Sequence, residues 1–146
     1  MRFLKTFEEF LSSGAVRKIT PDKERAKNLF LESEDKFNFF EKVKKSLGEK
    51  ELVPNFIVET SYDILIELIR AKLFLMGYKT DSHEAEVAYM RNLKFSDADV
   101  NFMNELRYLR NGIKYYGRIL NEEYVDKVLN FMYKVRVKLK KEVTIK

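Results

Sequence analysis

The sequence predicts an all-α fold, an antiparallel bundle built on four long helices with short helical additions, with residues 1–146 forming one domain. Three observations predict it. Glycine and proline are scarce, five and two among 146 residues, so there are few places where a helix must break. Apolar residues recur at three- and four-residue spacing almost throughout. The few breaks carry cap residues rather than long polar linkers. A chain of this length buries about two-thirds of its unfolded surface, enough for one core.

The elements follow in order. Phe3, Phe7, Phe10 and Leu11 form a short amphipathic segment that stops at Ser12-Ser13-Gly14. "TPDKERAKNLF" starts a helix, with Thr20 as cap, Pro21 in the first turn and Asp22 favouring the dipole. Its apolar positions are Phe30, Phe37, Phe40 and Leu47, and Gly48 ends it. Pro54 opens the next and most apolar helix, whose stripe is Ile57, Ser61, Ile64, Leu68 and Leu75, flanked by Tyr62, Leu65 and Ile69. Gly77 stops it. In "DSHEAEVAYM", Asp81 and Glu84 are spaced as a capping box, and "SDAD" repeats the device with Ser96 and Asp99. The helix from Ser96 buries Phe102, Leu106, Leu109, Ile113 and Tyr116; the last helix buries Val125, Val128, Met132, Val135 and Leu139. "KVRVKLKKEVTIK" alternates as a strand would, but a lone strand has no partner, so it is read as helix to about residue 141 with a frayed tail.

Composition excludes several chemistries. There is no cysteine, hence no disulfide, thiolate nucleophile or cysteine-ligated metal. His83 is the single histidine, so a multi-histidine metal site cannot form within one chain. No metal and no cofactor is predicted. No apolar run approaches the ~18 residues of a membrane span. Glu8 and Glu9 interrupt the segment where a signal peptide needs its apolar core, so a soluble cytoplasmic protein is expected. The lack of Gln and Trp beside abundant Lys and Glu leans towards a thermophile. A net charge of +5 and a pI near 9.2 suit a polyanionic partner, and equally suit ordinary solvation.

The candidate site lies in "LRNGIKYYGR". Arg107, Arg110, Lys114 and Arg118 follow one another at intervals of three, four and four, a basic stripe beside the apolar one. Four cations on one face need anions nearby. These are either nucleic-acid phosphates or carboxylates of a neighbouring helix, and Glu59, Asp63 and Glu67 supply such an acidic stripe. Gly112 interrupts the helix at a cost of about 1 kcal/mol against alanine, as a point of close approach or a bend. Tyr116 joins the apolar face, whereas Tyr115 lies nearer Asn111 on a polar surface. His83, in the first turn of its helix, reads first as an exposed or capping residue. Asp97 and Asp99 read as first-turn capping residues rather than metal ligands. Gly-rich phosphate loops, the serine-hydrolase elbow and HExxH are all absent from the sequence.

The runs "SYDILIELIRAKLFLMGYKTDSHEAEVAYM" and "ELRYLRNGIKYYG" resemble the HEPN superfamily, in which a long helix ending in "GYK…SH" precedes one carrying R-N-x-x-x-H or a similar motif. The resemblance covers roughly residues 55 to 140. It implies an up-and-down bundle that commonly dimerises and brings two copies of the motif together. Many members are metal-independent endoribonucleases, and several are toxins paired with a small nucleotidyltransferase antitoxin. Arg110 matches the motif arginine, Asn111 the polar residue after it, and Tyr115 the position of the histidine. The resemblance places His83 in the "SH" segment, outside the catalytic motif.

The departure at Tyr115 sets the expectation. A tyrosine hydroxyl titrates near 10, far from the optimum for proton transfer at neutral pH, so it donates hydrogen bonds but is a poor base. The first expectation is a non-catalytic homodimer that binds RNA or a nucleotide through Arg107, Arg110, Asn111, Lys114, Tyr115 and Arg118. The second is a ribonuclease in which Arg110 and Tyr115 are catalytic, or Lys114 replaces the missing base. The third is an interaction protein whose basic stripe pairs with a nucleotidyltransferase or another acidic partner, with Tyr115 or Tyr116 as an acceptor of nucleotidylation in one variant of it. The fourth gives Arg110 a purely structural role against Glu59 or Asp63.

Overall fold

The computed structural model describes residues 3–116 and 120–144, with the side chains of residues 113–116 outside that description. The expectations placed on the side chains of Ile113, Lys114, Tyr115 and Tyr116, and on Arg118, therefore fall outside the described residues.

The fold is an all-α bundle. Its long helices are α2 (Lys23–Leu47), α3 (Pro54–Met76), α5 (Asp97–Tyr116) and α6 (Glu122–Val143), with α1 (Phe7–Ser12) and α4 (His83–Asn92) as the short additions. Thr6 starts α1 with a capping box: the Glu9 amide donates to Thr6 Oγ1 at 3.1 Å, and the Thr6 amide donates to Glu9 Oε1 at 3.1 Å. Pro54 stands at the head of α3, where its missing N–H costs nothing.

α3 is the central element. It packs against α2, α4, α5 and α6, and is apolar on nearly every side. Ile64, Leu65, Leu68 and Ile69 are fully buried, each contributing about 1.5–3 kcal/mol relative to exposure. The Ser33 hydroxyl of α2 donates to the carbonyl of Ile64 at 2.8 Å, which fixes the register of the two helices. On α6, Val125, Val128, Met132, Val135 and Leu139 are all buried, as their spacing predicts. The C-terminal alternation is helix rather than strand, and runs to Val143.

Several local expectations need correction. Phe3 and Leu47 are exposed. Asp22, not Thr20, caps α2 and accepts from the Arg25 amide at 3.0 Å. The reason lies in residues 19–22, which are tied to the end of α3: Ile19 N donates to Gly77 O at 2.8 Å, and Asp22 N to Phe74 O at 3.0 Å. Ser82, not Asp81, caps α4, because Thr80 Oγ1 accepts from the Ser82 amide at 3.0 Å and keeps Asp81 outside the helix. Ser96 caps α5 as predicted, but the Asp99 carboxylate accepts from Lys134 Nζ at 2.8 Å instead of reaching back.

A small sheet was not expected. β1 (Val16–Lys18) pairs antiparallel with β2 (Tyr78–Thr80), in the register Val16↔Thr80, Arg17↔Lys79 and Lys18↔Tyr78. Gly77 makes the turn from α3 into β2 with φ +82°, and a Cβ there would lie 2.7 Å from the carbonyl oxygen of Ile19. This two-strand tie carries the chain to Ser82 and so sets where His83 lies against α3.

Candidate functional site

α3 presents Glu59, Asp63, Glu67 and Arg70 along one stripe, at steps of four, four and three. α5 crosses this stripe with Arg107 and Arg110, and the first turns of α4 add His83, Glu84 and Glu86.

Arg110 meets Asp63 in a two-point contact: Nε donates to Oδ1 at 2.9 Å and Nη2 to Oδ2 at 3.3 Å. Burial opposes the charge on Arg110, but Asp63, with Glu59 at longer range, holds its pKa above the ordinary value. The pair is only partly covered, with side chains 25% and 29% exposed. Arg107 lies one turn earlier. Its Nε donates to Asn104 Oδ1 at 3.0 Å, its Nη2 stands 3.7 Å from Glu84, and its guanidinium lies 4.5 Å from the Tyr108 ring centre. Asn111 is exposed and Gly112 is buried.

Of the acidic stripe, then, Asp63 faces the basic one directly. Glu67 does not: its carboxylate accepts from Lys36 Nζ of α2 at 2.7 Å. Burial raises the pKa of Glu67 although Lys36 opposes the rise, while contact with Glu67 holds the Lys36 amine up. Both values are raised, which disfavours the charge on Glu67 and favours that on Lys36, because Glu67 is the more buried, its side chain 8% exposed against 38% for Lys36.

His83 is more closely engaged than a capping residue. The Tyr62 hydroxyl and His83 Nδ1 are 3.1 Å apart, and the two rings lie nearly parallel, at 18° and 6.0 Å between centres. Burial pushes the Tyr62 pKa up, so its hydroxyl stays protonated. Among the described residues His83 Nδ1 is its hydrogen-bond partner, so the hydroxyl donates to Nδ1 and the neutral imidazole carries its proton on Nε2. His83 is exposed by surface area, yet enough protein surrounds the ring for burial to lower its pKa. Arg70, Arg110 and Arg107 lower it further, and Asp63 opposes them. At neutral pH the imidazole is neutral.

Arg70 and Tyr62 were not singled out from the sequence. Arg70 Nε donates to Glu86 Oε2 at 2.5 Å and Nη2 to Oε1 at 3.0 Å, and Glu86 is 1% exposed. Burial raises the Glu86 pKa against the pull of Arg70. The available signal was one arginine in the most apolar helix, on the same stripe as Asp63 and Glu67. A guanidinium has five N–H donors; among the described residues Arg70 and Arg110 each use two on a carboxylate, which leaves three for a ligand. Chemically, the arrangement offers fixed donors for an anion and one neutral imidazole beside them. Among the described residues no three His, Asp or Glu side chains are grouped to hold a metal ion. None of the described helices is long and apolar enough to cross a membrane. No family model matches the chain, and neither a curated protein nor a solved structure matches it.

Proposed function

We propose that this bundle is an HEPN-like protein that binds RNA or a nucleotide and holds it without cleaving it. One observation carries the reading: Arg70, Arg107 and Arg110, from two helices, lie near enough to His83 for their charges to lower its pKa, and Arg70 and Arg110 keep N–H donors beyond those used on carboxylates among the described residues. Such fixed guanidinium groups suit phosphate, and their carboxylate partners hold them in place before the ligand arrives. The likeness of "ELRYLRNGIKYYG" to the HEPN motif supports the same stretch of sequence, with Asn111, Lys114, Tyr115 and Arg118 following in it, and it favours a homodimer. Tyrosine at position 115 supports holding over cutting, since loss of a general acid–base group costs about 10²–10⁴ in rate.

A second reading is favoured by the Arg110–Asp63 contact, which is what a purely structural arginine would make. Titration of a fluorescent single-stranded RNA separates the two. Binding at low salt that weakens about tenfold or more in Arg110→Ala supports the proposal. Unchanged affinity with a lowered melting temperature supports the structural role. RNA cleaved by the pure protein in EDTA, and spared by Arg110→Ala, overturns the non-catalytic part.

A further inference from the structure

A pocket of about 540 Å³, lined in part by His83, opens between α2, the C-terminal half of α3 and the β2–α4 junction. That volume is in the range of small-ligand sites. Arg25, Arg70, Lys79 and His83 all line it. Arg70 is held from behind by the buried Glu86, so its remaining donors are aimed before any ligand arrives. Arg25 lies over the Phe74 ring at 5.0 Å, a contact that limits where it can swing. Two carboxylates, Glu32 and Asp81, also line the pocket, and Lys36 stands 3.7 Å from Glu32.

We propose that this pocket is a binding site for a dianionic tetrahedral oxyanion of the phosphate-monoester class, held by Arg70, Lys79 and the Nε2 edge of His83, and that binding is accompanied by proton uptake on His83. The charged and titratable groups around the imidazole come from every element packed on it. α3 supplies Tyr62, Asp63 and Arg70; α5 supplies Arg107 and Arg110; α4 and the residue before its cap supply Glu84, Glu86 and Asp81. α2 and β2 bring Arg25, Glu32 and Lys79 to the shared pocket. In the free protein burial and, after it, the three arginines keep the imidazole neutral. A dianion against Arg70 and His83 offsets that field, and a proton from the buffer then adds to Nδ1. The Tyr62 hydroxyl can turn from donor to acceptor, so its contact with Nδ1 survives the change.

The proposal does not depend on RNA binding along α5. Sulfate is the probe, because it does not titrate near neutrality and any proton exchanged belongs to the protein. Calorimetry at pH 7 in two buffers of different ionisation enthalpy is expected to show net proton uptake per sulfate bound. The Kd should weaken with rising pH by up to about tenfold per unit across the window in which His83 titrates. His83→Gln, which keeps a neutral donor, should abolish the uptake and flatten the pH profile, and Lys79→Ala should weaken sulfate about fivefold or more; thermal melts check that both remain folded. A 5′-phosphorylated oligoribonucleotide, its 5′-hydroxyl counterpart and a nucleoside monophosphate then identify the source of the phosphate. Sulfate binding with uptake, even where long RNA fails to bind, supports the pocket and removes the RNA reading alone. Absence of millimolar sulfate binding, or equal proton-independent affinity in the wild type and His83→Gln, overturns the proposal.

Discussion

Arg110 of α5 and Asp63 of α3 form a two-point ion pair, at 2.9 and 3.3 Å, on a face where a quarter of each side chain or slightly more stays exposed. The pair both anchors the guanidinium and competes with any phosphate for it. Asp63→Asn is predicted to release that competition: RNA affinity should rise several-fold. Because the pair is partly solvated, its loss should cost only about 1 kcal/mol, or about 2–4 °C in melting temperature. Binding titration and a thermal melt on the same variant check this. Weakened binding would show that Asp63 positions Arg110 more than it competes with ligand.

The charges around His83 make a prediction about protonation. Arg107→Ala removes one of the three guanidinium charges that act with burial to lower the His83 pKa, so it should rise towards 6.5 from its lowered position. The sign for stability follows from that depressed value. The wild type has this contribution in full above 6.5 and loses it as pH falls through the lower folded value. In the variant that acid-side loss should shrink. An NMR titration of the imidazole protons, with melts across the same pH range, measures both.

Glu67 behaves in the opposite sense. Its folded pKa is raised from 4.5 by burial, so it contributes stability that is complete below 4.5 and lost as pH rises through the folded value. Glu67→Gln lacks this contribution. The melting temperature of the wild type minus that of the variant should therefore grow as pH is lowered towards 4.5 and stay level above the window. Melts from neutral pH to pH 4 test it, and a difference independent of pH would contradict the reading.

Gly77→Ala tests the tie between α3 and β2. Alanine at φ +82° carries about 1–2 kcal/mol of strain, and its Cβ would lie 2.7 Å from the Ile19 carbonyl oxygen, a backbone atom that cannot swing aside. The melting temperature should drop by about 5 °C or more. If the β1–β2 tie positions His83, the sulfate affinity of the pocket should fall as well.

The helices were legible because their apolar spacing is local: Val125 to Leu139 reads as one face and is one face. Leu47 misled because periodicity continues to the helix end, beyond the reach of the core. The caps of α2 and α4 shifted by one or two residues because the β1–β2 pair, whose three-residue strands are too short for an alternating pattern, decides where each helix starts. Within the site, the intervals of α5 and α3 showed that a basic and an acidic stripe exist. They did not show that Asp63 takes Arg110 while Glu67 turns to Lys36. The Tyr62–His83 and Arg70–Glu86 contacts depend on how α4 folds back on α3, which no spacing within one helix encodes.

The salt dependence of RNA binding tests the proposed polyanion site on α5. Each neutralised phosphate of a single strand contributes about −0.7 to the slope of log K against log salt. If Arg107, Arg110, Lys114 and Arg118 each meet one phosphate, the wild-type slope should be about −3, and the Arg107→Ala/Arg110→Ala variant should flatten it to about −1.4. Identical slopes for the two proteins, or no RNA binding at low salt, would contradict the account.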